Sequence, residues 1–259
     1  MNQLRAILAA VILQIKQSRG RNFDPFKYLV PVPGAVVFAW IARQSPDPAV
    51  VTYVLVGVPL MAISTAMMFN VGSSLEIEIR GGTIEFALIS HTTMLTMLIS
   101  KSIAQVITSM ATALISLATV FAIAHQFLSV AYIGLLPFSL LLALLSIMVT
   151  SLFFSPYLFL IRGGGGLFAV YGPFVTALSG FLFPIATLPK ALYIVARALP
   201  NSWAMDAIWQ SIRGNVSEMQ VVLSWGICAA VIMTWFTVTY FMVKLVEKRI
   251  RVTGNLARY

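Results

Sequence analysis

Groups able to do proton, metal or nucleophile chemistry are few in this chain. Eight acids, two histidines and one cysteine occur among 259 residues. Cys228 stands alone within an apolar run, which excludes a disulfide framework or a cysteine metal site within one chain. His91 and His125 lie far apart and read as interfacial polar residues rather than ligands. Gly163 to Gly166 form a run that could cradle a phosphate. That chemistry requires Lys and Ser/Thr directly after the last glycine, and Leu167 and Phe168 stand there instead, so a hinge or tight turn is expected. Asp206 and His125 are the best candidates for catalysis at a membrane interface, and neither has an evident partner in the sequence. The chain is therefore expected to catalyse no bond change by itself and to hold no metal or cofactor.

Most of the remaining polar information is concentrated in two stretches. Residues 76–101 read EIEIRGGTIEFALISHTTMLTMLISK, with Glu76, Glu78, Arg80 and Glu85 close together. Residues 179–208 read SGFLFPIATLPKALYIVARALPNSWAMDAI, where Pro184, Pro189 and Pro200 break up an otherwise apolar run. Prolines terminate or interrupt helices because they lack an N–H.

The elements that must position these stretches are apolar helices. The chain is 59% hydrophobic and 10% charged, against about half and a quarter for soluble domains. A span needs about 20 apolar residues to cross about 30 Å of hydrocarbon, so six spans fit and a large soluble domain does not. The expected order begins with an interfacial helix at 1–22, where Leu4, Ile7, Leu8, Val11, Ile12 and Ile15 share a face. Spans follow at 26–42, 49–71, 102–124, 135–158, 167–183 and 221–243, with a basic tail at 244–259. The first is expected to be kinked or broken by Pro31, Pro33 and Gly34. Residues 76–100 form a polar loop region after the second span. Residues 186–213 suit a re-entrant helical hairpin, too short to span.

Basic residues orient the chain. With six spans and a cytoplasmic N-terminus, 13 of the 17 Lys and Arg residues fall inside, leaving Arg43, Lys190, Arg197 and Arg213 outside. The positive-inside rule then places both termini in the cytoplasm of a multi-pass protein of the cell membrane. The net charge of +9 sits beside apolar segments, which favours anionic lipid over nucleic acid as its counterpart.

The two polar stretches resemble those of ABC-2 type transporter permeases. In the loop, Gly82, Thr83, Ile84 and Glu85 match a Gly-Thr-hydrophobic-Glu element that precedes a short helix, with Lys101 before the next span. In the second stretch, Ser179, Gly180, Phe183, Pro184, Leu188, Pro189 and Pro200 match the family's extracellular segment. His91 departs from the pattern, standing where the family often has proline near the start of the coupling helix. The resemblance implies an all-α integral membrane fold of six transmembrane helices, and a permease that pairs with a like subunit as a homodimer or heterodimer. It also implies two copies of a separate ATP-binding cassette subunit, which carry the ATP and magnesium. Glu76, Glu78, Gly82, Thr83, Glu85, Phe86 and His91 would then couple to the ATPase. Ser179, Gly180, Phe183, Pro184, Pro189 and Pro200 would form an outer gate. Trp40, Met67, Phe69, Tyr171 and Phe174 are candidates to line the pathway, against the plainer reading that they pack or face lipid.

An energy-independent channel or a secondary carrier is the rival class. Ion-coupled carriers commonly place ionisable groups at membrane depth, whereas the expected span cores contain none. The apolar spans do not choose among drugs, peptides, lipids and lipid-linked glycans.

Overall fold

The computed structural model describes residues 11–12, 31–72, 93–125, 130–160 and 164–253. Of the expected interfacial helix only Val11 and Ile12 are among them, both helical. The described residues contain helices and turns and no strand.

Helix α1, Val32–Arg43, is opened by its prolines: Pro33 lies in the first turn, where a missing N–H costs no hydrogen bond. Residues 26–30 of the expected first span lie outside the described residues. Helix α2, Pro48–Met67, begins at Asp47, whose carboxylate accepts the Ala49 N–H at 2.9 Å, and continues through a π turn, Met68–Gly72. Helix α3, Met94–Ala124, starts where the Thr93 hydroxyl accepts the Thr96 N–H at 3.2 Å. It thus begins ahead of the expected Ser102 and takes in Lys101. It ends at His125, which adopts the left-handed region (φ 50°).

Helix α4 is Leu136–Leu160 and α5 is Gly164–Leu178. Gly164, Gly165 and Gly166 occupy the first turn of α5, so these three glycines open a helix where a hinge or turn was expected. A 3₁₀ turn, Ile185–Thr187, leads to α6, Lys190–Ala198, and α7, Pro200–Arg213. Pro189 caps α6 and Pro200 takes the first position of α7, so both prolines start helices rather than end them. Helix α8, Glu218–Thr253, is the last element described.

Among the described residues, four helical segments are long and apolar enough to cross a membrane: Pro48–Val71, Met94–Ala124, Leu136–Tyr157 and Glu218–Arg249. Helix α1, with 12 residues, covers about 18 Å and α5, with 15, about 22 Å at 1.5 Å per residue, less than the hydrocarbon thickness. The molecule is an all-α membrane protein whose described residues include four helices of spanning length, and the six-span count goes beyond what these helices establish.

Helices α2 and α4 form the middle of the bundle, with 67% and 56% of their apolar windows buried, against 28% for α3 and 17% for α8. Leu60, Ile63 and Met67 of α2 meet Leu98 of α3, Ile147 and Leu152 of α4, and Met205 and Ile208 of α7 in the main core. Small residues let backbones approach where lipid offers no hydrophobic drive. Ala35, Ala39 and Ala42 do this for α1, packing with Val51, Val54 and Leu55 of α2 and Val120 of α3. Buried hydroxyls return their protons to their own helices, as with Ser102 to the Leu98 carbonyl (2.8 Å) and Ser211 to that of Ala207 (2.7 Å).

Candidate functional site

The hairpin α6–α7 and the turn before it are built into the bundle by polar contacts. After α5 the chain reverses at Ser179–Gly180. Gly180 has φ 77°, and a methyl group there would approach Ile185 Cγ1 to 2.8 Å, so the turn requires glycine twice over. Phe181 and Ile185 are then buried, while Phe183 and Pro184 are half-buried.

Helix α2 holds this turn at two points. The Tyr53 hydroxyl donates to the Gly180 carbonyl. One turn further along α2, Gly57 lies so close to the Phe181 carbonyl oxygen that a side-chain methyl would collide with it. A third tie comes from Asn201, at the start of α7. Its amide donates to the Ser179 hydroxyl at 3.1 Å and its carbonyl oxygen lies 3.2 Å from the Thr150 hydroxyl of α4. Turn, α2, α4 and α7 thus meet at one buried polar node. Indole N–H groups fix the hairpin's bend, from Trp235 to the Ala198 carbonyl (2.9 Å) and from Trp203 to that of Arg197 (3.0 Å).

Arg197 and Asp206 form an ion pair across the bend, and the guanidinium lies over the rings of Trp203 (4.3 Å) and Tyr193 (4.9 Å). The pairing supplies the partner for Asp206 that the sequence did not reveal. It gives a partner to a largely buried charge that would otherwise be costly. At the far end of α7, Arg213 pairs with Asp47 and stacks over Trp209 at 4.9 Å. The Arg213 side chain and the Ala49 N–H hold the Asp47 carboxyl below the ordinary carboxylate value. Gly214 follows with φ 62°, and the loop before α4 covers the end of α7: Ala131 and Tyr132 donate backbone N–H groups to the Ile212 and Ser211 carbonyls at 3.1 and 2.9 Å. A cleft of about 450 Å³ opens here, lined in part by Asp47, Ala131, Arg213 and Asn215.

The proposed gate residues Ser179, Gly180, Phe183, Pro184, Pro189 and Pro200 all lie along this turn and hairpin. The candidate lining residues are scattered. Met67 is sealed in the main core, and Tyr171 packs against Phe154 and Tyr157 at 6.2 Å. Trp40, Phe69 and Phe174 point outward from α1, the π turn and α5. The coupling residues Glu76, Glu78, Gly82, Thr83, Glu85, Phe86 and His91 lie outside the described residues. Tyr53, Gly57 and Thr150 escaped the sequence reading because each lies in an apolar helix pattern, and Asn201 because nothing beside Pro200 marks a partner distant in sequence. Among the described residues no group of three or more His, Cys, Asp or Glu is placed to hold a metal.

The model of the ABC-2 family transporter proteins matches residues 1–241, nearly the whole chain. The chain belongs to this family. No curated protein matches it. It is accordingly a multi-pass membrane protein of a permease family whose members are transmembrane subunits, associate with an ATPase subunit and are not themselves catalytic.

Proposed function

We propose that this chain is the permease subunit of an ATP-binding cassette exporter, forming the pathway for a hydrophobic or amphipathic substrate in the cytoplasmic membrane. The observation that carries the reading is the family match, which spans the 76–101 loop and the 179–208 hairpin together. In this reading α1 and α5 complete six spans with flanking residues, both termini are cytoplasmic, and the hairpin faces outward. Two copies of the permease, or one with a similar partner, assemble with two ATP-binding subunits that hold ATP and magnesium. The loop carries Glu76, Glu78, Gly82, Thr83, Glu85, Phe86 and His91 into a cleft on the ATPase. Charged residues there pair with basic groups of the partner, and Phe86 fills an apolar groove.

A hairpin of two short helices suits an outer gate. Most of its backbone hydrogen bonds run within α6 and α7, which suits membrane depth, and its α7 arm packs in the main core while polar contacts tie it to α2, α4 and the turn. Transport then follows from closure of the ATPase subunits below, transmitted through the loop to the spans and hairpin above.

Co-purification with the ATP-binding subunit tests this, comparing wild type with a Glu85→Arg, Phe86→Ala double variant. Loss of partner binding and of substrate-stimulated ATP hydrolysis is expected. Binding and coupling unchanged in the variant would sink the loop's role, and transport by the permease without any ATPase would favour a channel or carrier. Topology is tested separately with Asn215→Cys in a Cys228→Ser background. Labelling by a membrane-impermeant thiol reagent from outside is expected, and labelling only from the cytoplasm would invert the orientation.

A further inference from the structure

One file of contacts runs from Asp47, in the connection between α1 and α2, to the turn before the hairpin. Asp47 pairs with Arg213, Arg213 stacks over Trp209, and Trp209 meets the Tyr53 ring edge-on with centroids 4.8 Å apart. The Tyr53 hydroxyl then donates to the Gly180 carbonyl. Every link joins α2 to α7, joins α2 to the turn, or lies within α7. Tyr53 holds both arms of the hairpin at once, with its ring against α7 and its hydroxyl on the turn that leads into α6. Arg213 and Asp47 are partly exposed, at 41% and 34%, so water reaches the outer link while Tyr53 is buried.

We propose that this file is the clasp that keeps the hairpin closed, with Tyr53 as its positioning residue, and that opening the pathway requires α2 and α7 to part along it. The inference rests on the hairpin being the outer gate. The links differ in how easily they break. An exposed ion pair exchanges its partner for water at small cost, whereas the Gly180 carbonyl, once parted from Tyr53, is left unsatisfied in a dry interior. Opening therefore starts at Asp47–Arg213 and is resisted at Tyr53. The close approach of Gly57 to Phe181 sets the separation that lets Tyr53 reach.

A test that needs no ATPase follows the burial of Met205 on α7, which is fully buried in the closed bundle. In a Cys228→Ser, Met205→Cys background, the rate of reaction with a small impermeant thiol reagent is measured in proteoliposomes. Tyr53→Phe keeps the ring contact and loses the hydroxyl, and is expected to raise the rate about tenfold. Asp47→Asn keeps a side-chain oxygen for the Ala49 N–H and leaves Arg213 over Trp209 while it removes the charge, and is expected to raise the rate about fivefold. Leu223→Ala on α8, outside the file, is expected to leave the rate unchanged, which separates a clasp from general damage to the fold. Rates unchanged in both file variants, or raised as much by Leu223→Ala, would overturn the proposal.

A second arm uses Asp47→Cys with Arg213→Cys, bridged by a short reducible bis-thiosulfonate. Bridging is expected to stop ATP-driven transport, and reduction to restore it. Undiminished transport across the bridge would show that α2 and α7 move together and that the clasp is wrong. If the labelling results hold while ATP has no effect on transport, the clasp stands and the exporter reading falls.

Discussion

Helices α7 and α8 are neighbours with opposite habits. Helix α7 carries Asn201, Ser202, Asp206, Gln210, Ser211 and Arg213 in 14 residues, yet Asn201, Ser202, Ala204, Met205, Ala207, Ile208, Ser211 and Ile212 are buried. Helix α8 is the longest helix described and far more apolar through its span, yet Met219, Leu223, Met233, Phe241 and Leu245 are each more than half exposed. In water the assignment would be reversed. In a bilayer an apolar side chain gains little by leaving lipid, so packing, hydrogen bonds and small residues decide what goes inside. The hairpin is central because its polar groups must find partners within the protein, and α8 is peripheral because its side chains already have a suitable solvent.

Breaking this contrast on the α7 side should cost most. Gly57→Leu places a large side chain where even a methyl collides with the Phe181 carbonyl. The expected outcome is loss of the folded monodisperse protein in detergent, with Gly57→Ala destabilising by about 1–3 kcal/mol in a thermal or denaturant titration. Asn201→Leu comes next. It removes the amide that links the Ser179 and Thr150 hydroxyls, and about 1–3 kcal/mol of stability should disappear with it.

On the α8 side, Leu223→Ala or Met233→Ala is expected to change stability by less than about 0.5 kcal/mol, and a larger loss would mean that this face packs against protein. The smallest effect concerns pH. Arg213 and the Ala49 N–H favour the ionised Asp47 carboxyl, so the folded chain takes up that proton at lower pH than the unfolded chain. The stabilisation is complete above the ordinary value of 3.8 and is lost as pH falls through the lowered folded value. The stability gap between wild type and Asp47→Asn should therefore narrow only below about that pH.

Four of the six expected spans correspond to long apolar helices. Hydropathy located α2, α3, α4 and α8 because each is a long apolar run, and the prolines and glycines at 180–200 marked the hairpin. Boundaries were less legible. Pro33, Pro189 and Pro200 lack an N–H and so suit a helix start as well as a helix end, and sequence alone does not say which side of the proline is helical. The glycines at 164–166 entered a helix although glycine is a poor helix former. Partnerships were the least legible. Asp206 with Arg197, Asp47 with Arg213 and Tyr53 with Gly180 join segments whose proximity is set by how α2, α7 and the turn pack. That packing rests on the small residue at 57, unmarked in an apolar run, and on the amide at 201, whose partners the sequence does not name.

The central claim is that ATP used below opens the hairpin above. Its most direct measurement is the labelling rate of Met205→Cys, in the Cys228→Ser background, in proteoliposomes that hold the permease with its ATP-binding subunit. The account predicts that Mg-ATP speeds labelling by an outside reagent, and that Glu85→Arg with Phe86→Ala abolishes the acceleration. Equal rates with and without Mg-ATP, in a preparation that hydrolyses ATP and transports substrate, would contradict it.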